Sequence, residues 1–333
     1  MALYVLLFII GLLLLIKGGD WFVDGATGIA HKFHLPEILI GATIVSIGTT
    51  LPEVMVSATS ALSGHGEMAY GNAVGSIICN TSLIAAITIA LKPAAIQRKT
   101  LIVPSIFFLV AAIITSIISY TTGFFDRWVG IVLLSIFVFY ITIQILSALK
   151  ATKKVECEVV VEEVEVKEET EEKVENINIW KNILLLVIGA AVIAVGADLL
   201  VDNGVLIATE LGVPESVIAL TFVALGTSLP ELVTAITSLM KGHGSLSLGN
   251  IIGANLFNFI LVLGVSNTLA PFMLPASKTI AGINSALILD IPIVFIVMGL
   301  MLIPGLIKGK LYKWQGFILL AIYLTFTILQ FAI

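Results

Sequence analysis

GATIVSIGTTLPEVMVSATSALSGHGEMAYGNAVGSIICN, at positions 41–80, recurs as ALTFVALGTSLPELVTAITSLMKGHGSLSLGNIIGANLFN at positions 219–258. The two stretches are 178 residues apart, and 16 of their 40 aligned positions are identical. The shared positions include Gly-Thr-X-Leu-Pro-Glu at 48–53 and 226–231 and an Asn at 80 and 258. Because polar side chains are costly in an apolar environment, a doubled polar motif in a very apolar chain indicates a functional site.

The composition is that of a membrane protein. Of the 333 residues, 59% are hydrophobic and 12% are charged, and the mean hydropathy is +1.12. Most long apolar runs exceed the ~20 residues that a helix needs to cross the hydrocarbon layer. The chain begins without a basic segment or a small-residue cleavage site, which predicts a retained first span rather than a signal peptide. We predict an all-α polytopic protein with ten transmembrane helices, at about 2–30, 36–63, 69–91, 100–119, 124–149, 179–208, 214–240, 247–270, 279–303 and 314–332.

Basic residues are distributed unevenly among the predicted loops. The odd-numbered loops hold 14 Lys and Arg residues, and the even-numbered loops hold 2. Loops rich in Lys and Arg stay on the cytoplasmic side of a membrane. We therefore predict a multi-pass protein of the plasma (inner) membrane, with both termini outside and the central acidic loop in the cytoplasm.

The repeat divides the chain into two halves of five spans, residues 1–150 and 177–333. An odd number of spans forces the second half to enter the membrane from the opposite side, which predicts inverted repeats with a substrate site near the midplane. Residues 151–176 form a Glu-rich segment between the halves. Its alternating Val and Glu residues are compatible with a strand or hairpin and its Glu-rich part with a helical extension, and we interpret the whole as a solvated cytoplasmic linker.

The repeated motif predicts irregular backbone at membrane depth. Pro52 has no N–H, and its ring clashes with the carbonyl four residues back, so the second helix is expected to break near Gly48. A break at that depth is tolerated only where the backbone lines a cavity or is buried in protein. Applied to both copies, this reasoning predicts breaks in helices 2 and 7. Together with the polar third span of each half, the prediction is of broken helices 2, 3, 7 and 8 around a midplane ion site.

The side chains of both copies are oxygen ligands. Ca²⁺ takes 6–8 oxygen ligands, and Na⁺ is satisfied by fewer of the same kind. Two glutamates neutralise one Ca²⁺, and without a cation one or both should be protonated or hydrated. A lone Ser, Thr or Asn in a span more often serves helix packing, but their coincidence in two copies favours a metal site. The candidate ligands are Glu53 and Glu231, Thr49, Thr50, Thr227 and Ser228, and Asn80 and Asn258.

At these residues the chain resembles the sodium/calcium exchanger branch of the cation/calcium exchanger superfamily, in its prokaryotic form. The doubled motif is similar to that family's two α-repeats, and the resemblance covers most of the chain. It implies a secondary antiporter that exchanges Na⁺ for Ca²⁺ by alternating access. It also implies that Glu53 and Glu231 share the Ca²⁺, with main-chain oxygens from Thr49 and Thr227. The flanking Na⁺ sites would draw on Ser46, Thr50, Ser76, Ala224 and Ser228, with Asn80 and Asn258 near the centre.

The chain departs from the family pattern at two positions. Ala254 stands where the first half has Ser76 and where the family often has a hydroxyl, so one Na⁺ position lacks a ligand. Asn258 replaces an acidic residue found in some members, which removes a possible proton-binding group. Both departures bear on Na⁺ stoichiometry more than on Ca²⁺ binding.

Other functions remain open from the residues alone. The nearest alternative is a Ca²⁺/H⁺ antiporter of the same fold, although that branch usually carries Gly-Asn-Ala-X-Glu, where this chain has Gly75 after residues 71–74. A cation channel is an alternative from another class, and an enzyme is disfavoured because no nucleophile–base pair is evident. We expect no cofactor, Ca²⁺ and Na⁺ as transported substrates, a lipid bilayer as the environment, no nucleic-acid partner, and function as a monomer.

Overall fold

The structure, a computed structural model, describes residues 1–93, 98–161, 178–211, 226–276 and 279–332. Two short antiparallel ribbons lie in connections: β1 (Phe124–Phe125) pairs with β2 (Phe272–Met273), and β3 (Thr279–Ile280) pairs with β4 (Ile283–Asn284). The rest of the regular structure in these ranges is helical. The helices are α1 (Ala2–Lys32), α2 (Glu37–Leu62), α3 (Gly66–Leu91), α4 (Arg98–Thr121), α5 (Arg127–Val161), α6 (Ile179–Glu210), α7 (Leu229–Met240), α8 (Gly244–Leu269), α9 (Ala286–Lys308) and α10 (Lys313–Ala332).

The helices agree with the predicted spans. Eight of them, α1 to α6, α8 and α9, are long and apolar enough to cross a membrane. The spans predicted at 36–63 and 247–270 correspond to α2 and α8 to within three residues at each end. Each remaining predicted span overlaps one helix, and residues 212–225 of the seventh span lie outside the described residues. The span predicted at 279–303 was placed too early, because its first residues form the β3–β4 ribbon and α9 starts at Ala286. The chain is therefore a multi-pass membrane protein.

In the described part of the chain, three of the helices that carry the repeat contain a π-helical turn, in which one extra residue widens the helix. The turns lie at Gly41–Val45 in α2, at Asn80–Ala85 in α3 and at Asn258–Leu263 in α8. The last two begin at equivalent positions of the repeat, because 258 and 80 differ by 178. Such turns occur often at functional sites, since they redirect the side chains that follow.

The helix break expected near Gly48 is not seen, and the breaks expected in helices 3 and 8 are not seen either, because α3 and α8 are continuous through their π-helical turns. Residues Ser46–Leu62 stay α-helical with Pro52 inside the helix, and the irregular turn lies upstream, at Gly41–Val45. A single proline removes one backbone donor, and a membrane helix tolerates that loss when local π adjustments and neighbouring helices accommodate the backbone. In the second copy, α7 begins at Leu229 with Pro230 in its first turn, where a missing N–H is harmless.

The first part of the predicted linker is helical. Helix α5 continues to Val161, so the first eleven residues of the predicted 151–176 linker are helical rather than part of a strand or hairpin. Residues 162–176 lie outside the described residues.

Helices α1 and α6 form a close antiparallel pair. A Cβ added to Gly11 would come within 2.8 Å of the Gly196 carbonyl oxygen, and one added to Gly25 would come within 2.6 Å of the Asn182 carbonyl oxygen. Small residues allow helix backbones to approach this closely in a membrane. Most of a second hydrophobic cluster comes from this pair, together with Ile40 and Val45 of α2 and Leu246 of α8.

Candidate ion-binding site

Helices α2 and α7 each bury one carboxylate. The side chains of Glu53 and Glu231 are both 0% exposed, and their carboxyl groups lie close enough to interact with each other. Among the described residues, none of their four oxygen atoms has a hydrogen-bond partner. Buried carboxylates without partners are rare because desolvation of a charged group is costly. These two carboxyl groups therefore need a bound cation or a proton to be stable here.

The burial of Glu53 follows from the pattern of α2, which is polar inside and apolar outside. Ser46, Thr50, Glu53 and Ser57 are buried at helical spacing, whereas Leu51 and Met55 on other faces are 50% and 63% exposed. In a soluble helix the faces would be reversed. Helix α2 therefore turns its polar stripe into the protein and its apolar face to lipid.

Glu231 is placed by the start of α7. It lies in the first turn of that helix, after Pro230, and Ser228 occupies the N-cap position. Helix N-termini stabilise negative charge. The Glu231 carboxylate therefore reaches the same region as the Glu53 carboxylate, but from the first turn of a helix rather than from a helix interior.

Neutral oxygen atoms surround the two carboxylates. The hydroxyl groups of Thr50 and Ser228 are buried without hydrogen-bond partners among the described residues. The hydroxyls of Thr49 and Thr50 also lie beside the Glu231 carboxyl. Native proteins leave few buried polar atoms unpaired, so this concentration of unpaired oxygens suits a bound group that the protein itself does not supply.

Two asparagines add amide oxygens from α3 and α8. Asn80 and Asn258 are both 0% exposed, and each begins a π-helical turn. Within the described part of the chain, neither amide atom of Asn80 has a partner. Asn258 donates from Nδ2 to the Ala254 carbonyl at 3.0 Å, and its Oδ1 has no partner there. Both asparagines can therefore offer an oxygen to a cation.

The remaining predicted ligands have different settings. The Ser46 hydroxyl contacts the carbonyl oxygens of Gly41, at 2.6 Å, and Asn250, at 2.9 Å. Ser76 is buried at 4% exposure, and Ala254 at the equivalent position of α8 is 0% exposed. Ala224 lies outside the described residues.

Thr49 and Thr227 make side-chain contacts that the sequence did not predict. The Thr49 hydroxyl donates to Asn250 Oδ1 at 3.2 Å, and the Thr227 hydroxyl donates to Asn72 Oδ1 at 3.2 Å. Asn72 and Asn250 were visible as matched residues on the same helical faces as Asn80 and Asn258. Their partners were not, because residue spacing within one helix cannot identify a contact on another.

The donor set suits a hard cation. Carboxylate, hydroxyl and amide oxygens are ligands of Ca²⁺ and of the alkali cations, and soft metals prefer sulfur or imidazole. Two carboxylates carry up to two negative charges, which one divalent or several monovalent cations can neutralise. A buried pair of like charges is costly without such compensation.

Comparison with known proteins identifies the family. The family model for the sodium/calcium exchanger protein matches residues 3–146 and 181–332. A putative antiporter, CaxA of Alkalimonas amylolytica, is 32% identical over 324 residues, which cover 97% of each chain. The sodium/calcium exchanger MaX1 of Methanosarcina acetivorans is 28% identical over 353 residues, covering 98% of each chain.

A solved structure of the sodium-calcium exchanger NCX_Mj, soaked with Na⁺ and Sr²⁺, superposes on this chain with a TM-score of 0.78 and 30% identity. The superposition covers 97% of both chains, so it includes every helix of the site. The chain therefore belongs to the sodium/calcium exchanger family, a family of ion-exchanging membrane transporters.

Proposed function

We propose that this protein exchanges Na⁺ for Ca²⁺ across the membrane by alternating access. The observation that carries the proposal is the pair Glu53 and Glu231, fully buried, mutually close and without hydrogen-bond partners among the described residues. Intramembrane carboxylates that face the protein interior mark ion pathways. The names of MaX1 and NCX_Mj support the same pair of ions.

The coupling between the two ions follows from shared ligands. Ca²⁺ would bind between Glu53 and Glu231 with main-chain oxygens of Thr49 and Thr227. Na⁺ ions would use the same carboxylates together with the flanking oxygens of Ser46, Thr50, Ser76, Ala224, Ser228, Asn80 and Asn258. Because Ca²⁺ and Na⁺ both need the two carboxylates, they cannot occupy the site together. The movement of one ion down its gradient therefore drives the other ion in the opposite direction.

Internal symmetry supports two inverted halves, residues 1–150 and 177–333, joined by the linker at 151–176. Helices α1 and α6, which are equivalent in the repeat, pack antiparallel. In the Thr49–Asn250 and Thr227–Asn72 hydrogen bonds, a threonine of each half bonds an asparagine of the other half, and the two bonds are equivalent in the repeat. Such repeats place ion sites at the interface of the halves, near the midplane.

The same symmetry supports a single chain as the working unit, because one chain supplies both carboxylates. The distribution of Lys and Arg supports outside termini and a cytoplasmic linker. The close pairing of α1 with α6 supports a gate in which this pair slides against the remaining helices.

Transport in proteoliposomes tests the proposal. An outward Na⁺ gradient should drive ⁴⁵Ca²⁺ uptake, and Glu53→Gln should abolish it. Glu67→Gln is the matched control, because Glu67 is exposed at the start of α3 and should leave uptake unchanged.

The gradients separate the alternatives. Uptake driven by a pH gradient without Na⁺ would identify a Ca²⁺/H⁺ antiporter. A cation flux that needs no counter-ion would identify a channel. Persistent Na⁺-driven uptake in the Glu53→Gln protein would show that the ion site lies elsewhere.

A further inference from the structure

Threonine side chains in this protein usually bond within their own helix. A helical threonine hydroxyl commonly donates to a carbonyl three or four residues back. That contact, to the carbonyl four residues back, is present at Thr27, Thr43, Thr59, Thr81, Thr234 and Thr268, with distances of 2.7 to 2.9 Å.

Thr49 departs from that pattern, and Thr227, just before α7 begins, makes the equivalent contact. Each hydroxyl donates to an asparagine of the other half of the chain, at 3.2 Å in both cases. The exchange is reciprocal, because Thr227 and Asn250 are the repeat equivalents of Thr49 and Asn72. A reciprocal pair of hydrogen bonds between equivalent residues of the two halves indicates a geometric requirement of the site rather than an accident of packing.

The two asparagines are themselves anchored beside the carboxylate helices. Asn72 donates from Nδ2 to Ser57 Oγ at 2.9 Å and approaches the Glu53 carbonyl oxygen at 3.5 Å. The Asn250 main-chain carbonyl accepts from the Ser46 hydroxyl at 2.9 Å. Each asparagine therefore touches α2 as well as lying on a helix that lines the site.

We propose that Asn72 and Asn250 are positioning residues for the exchanged ions, an inference that rests on the proposed function. Each asparagine holds the hydroxyl of a threonine from the opposite half, and Thr49 and Thr227 then keep Glu53 and Glu231 opposed across the interface. The asparagines act through the threonines and do not bind the ion themselves. The threonine hydroxyl protons are used in these bonds between the halves.

Double-mutant cycles on purified full-length protein test this role, with ⁴⁵Ca²⁺ affinity as the measurement. Asn250→Ala and Thr49→Val should each weaken binding about tenfold, as expected when a buried hydrogen bond is lost and one partner is left unpaired. The double variant Thr49→Val/Asn250→Ala should be no weaker than the weaker single variant. Thr49→Val combined with Asn72→Ala should instead multiply the two losses, because among the described residues these two side chains have different hydrogen-bond partners.

Exchange kinetics separate positioning from general structural damage. The single variants should raise the Ca²⁺ concentration for half-maximal exchange while the maximal rate and the melting temperature stay near those of the wild type. Asn203→Ala is the matched control: Asn203 is buried on α6, donates to the Leu199 carbonyl of its own helix at 2.7 Å, and should leave affinity unchanged.

The outcomes are distinguishable from failure of the proposed function. Multiplicative losses in Thr49→Val/Asn250→Ala would overturn the positioning role and show that the two residues act separately. A wild-type protein that binds ⁴⁵Ca²⁺ without Na⁺-driven uptake would overturn the proposed coupling, and the binding cycles would still decide the positioning role. A wild-type protein that binds no ⁴⁵Ca²⁺ would overturn both.

Discussion

A methyl group at Gly253 should disrupt ion exchange by separating α2 from α8. A Cβ at this position would lie 2.2 Å from Ser46 Oγ, 2.7 Å from Ala42 Cα and 2.9 Å from the Ala42 carbonyl carbon. Ser46 can rotate, but the two Ala42 atoms are backbone atoms of the π-helical turn in α2. Gly253→Ala therefore requires one of the two helices to move.

The displacement can be estimated from these distances. Ordinary van der Waals contact begins at about 3.4 Å, so Ala42 Cα falls short by 3.4 − 2.7 = 0.7 Å. Withdrawing α2 by that amount would lengthen the Thr49–Asn250 hydrogen bond from 3.2 Å to about 3.9 Å, which is beyond bonding distance. A misplacement of this size at a reacting centre costs up to about 10²-fold in rate.

The assay is Na⁺-driven ⁴⁵Ca²⁺ uptake in proteoliposomes, with melting temperature measured on the same preparations. Gly253→Ala should lower the initial rate by about 10²-fold and destabilise the fold by about 1–3 kcal/mol. Gly299→Ala in α9 is the matched control, because its Cβ would meet only Ile303 Cδ1, at 3.7 Å. Wild-type uptake and Ca²⁺ affinity in Gly253→Ala would refute the idea that tight contact between α2 and α8 sets the ion site.

Three further substitutions probe charge. Glu231→Gln should abolish ⁴⁵Ca²⁺ binding, because one remaining carboxylate cannot neutralise a divalent ion in a buried site; retained binding would contradict the shared-site reasoning. Lys241→Met removes the contacts of Lys241 Nζ to Asp24 Oδ1, at 2.7 Å, and Asp20 Oδ1, at 3.3 Å, which tie the α7–α8 turn to α1. These contacts restrain α1, and exposed ion pairs contribute up to about 1 kcal/mol. Their removal should therefore accelerate exchange at low salt up to about fivefold, and slower exchange would argue against a restraint on α1. Asn258→Asp adds a third buried acid that must bind a proton or a cation, so ⁴⁵Ca²⁺ binding should become more pH-dependent, and an unchanged pH profile would place Asn258 outside the site.

The number and position of the helices were predictable because membrane thickness fixes span length. The apolar runs at 2–30 and 100–119 match α1 and α4 to within two residues at each end. The end of α5 was not predictable in the same way. Its last turns, up to Val161, lie in polar sequence, where neither hydropathy nor span length sets a limit.

The candidate ligands were predictable, but their geometry was not. A Glu within an apolar span, at two equivalent positions of a repeat, is a strong sequence signal by itself. A π-helical turn adds one residue to a single turn of a helix and leaves no recognisable mark in the sequence. The turns at Asn80 and Asn258 are therefore invisible to periodicity. The effect of Pro52 was overestimated, because the rule that proline ends a helix holds best in water, without neighbouring helices to support the backbone.

The placement of one carboxylate in each half has a physical consequence for coupling. Glu53 and Glu231 lie on α2 and α7, so neither half alone provides enough negative charge to strip a divalent cation of its water. A movement that changes the relation between the halves changes the site for every ion at once. With two carboxylates, one Ca²⁺ leaves the occupied site neutral, whereas three Na⁺ would leave it with one positive charge. Carrying that charge across the membrane is worth about 2.3 kcal/mol per 100 mV, so a three-for-one exchange would have to be electrogenic, and its rate would have to depend on membrane potential.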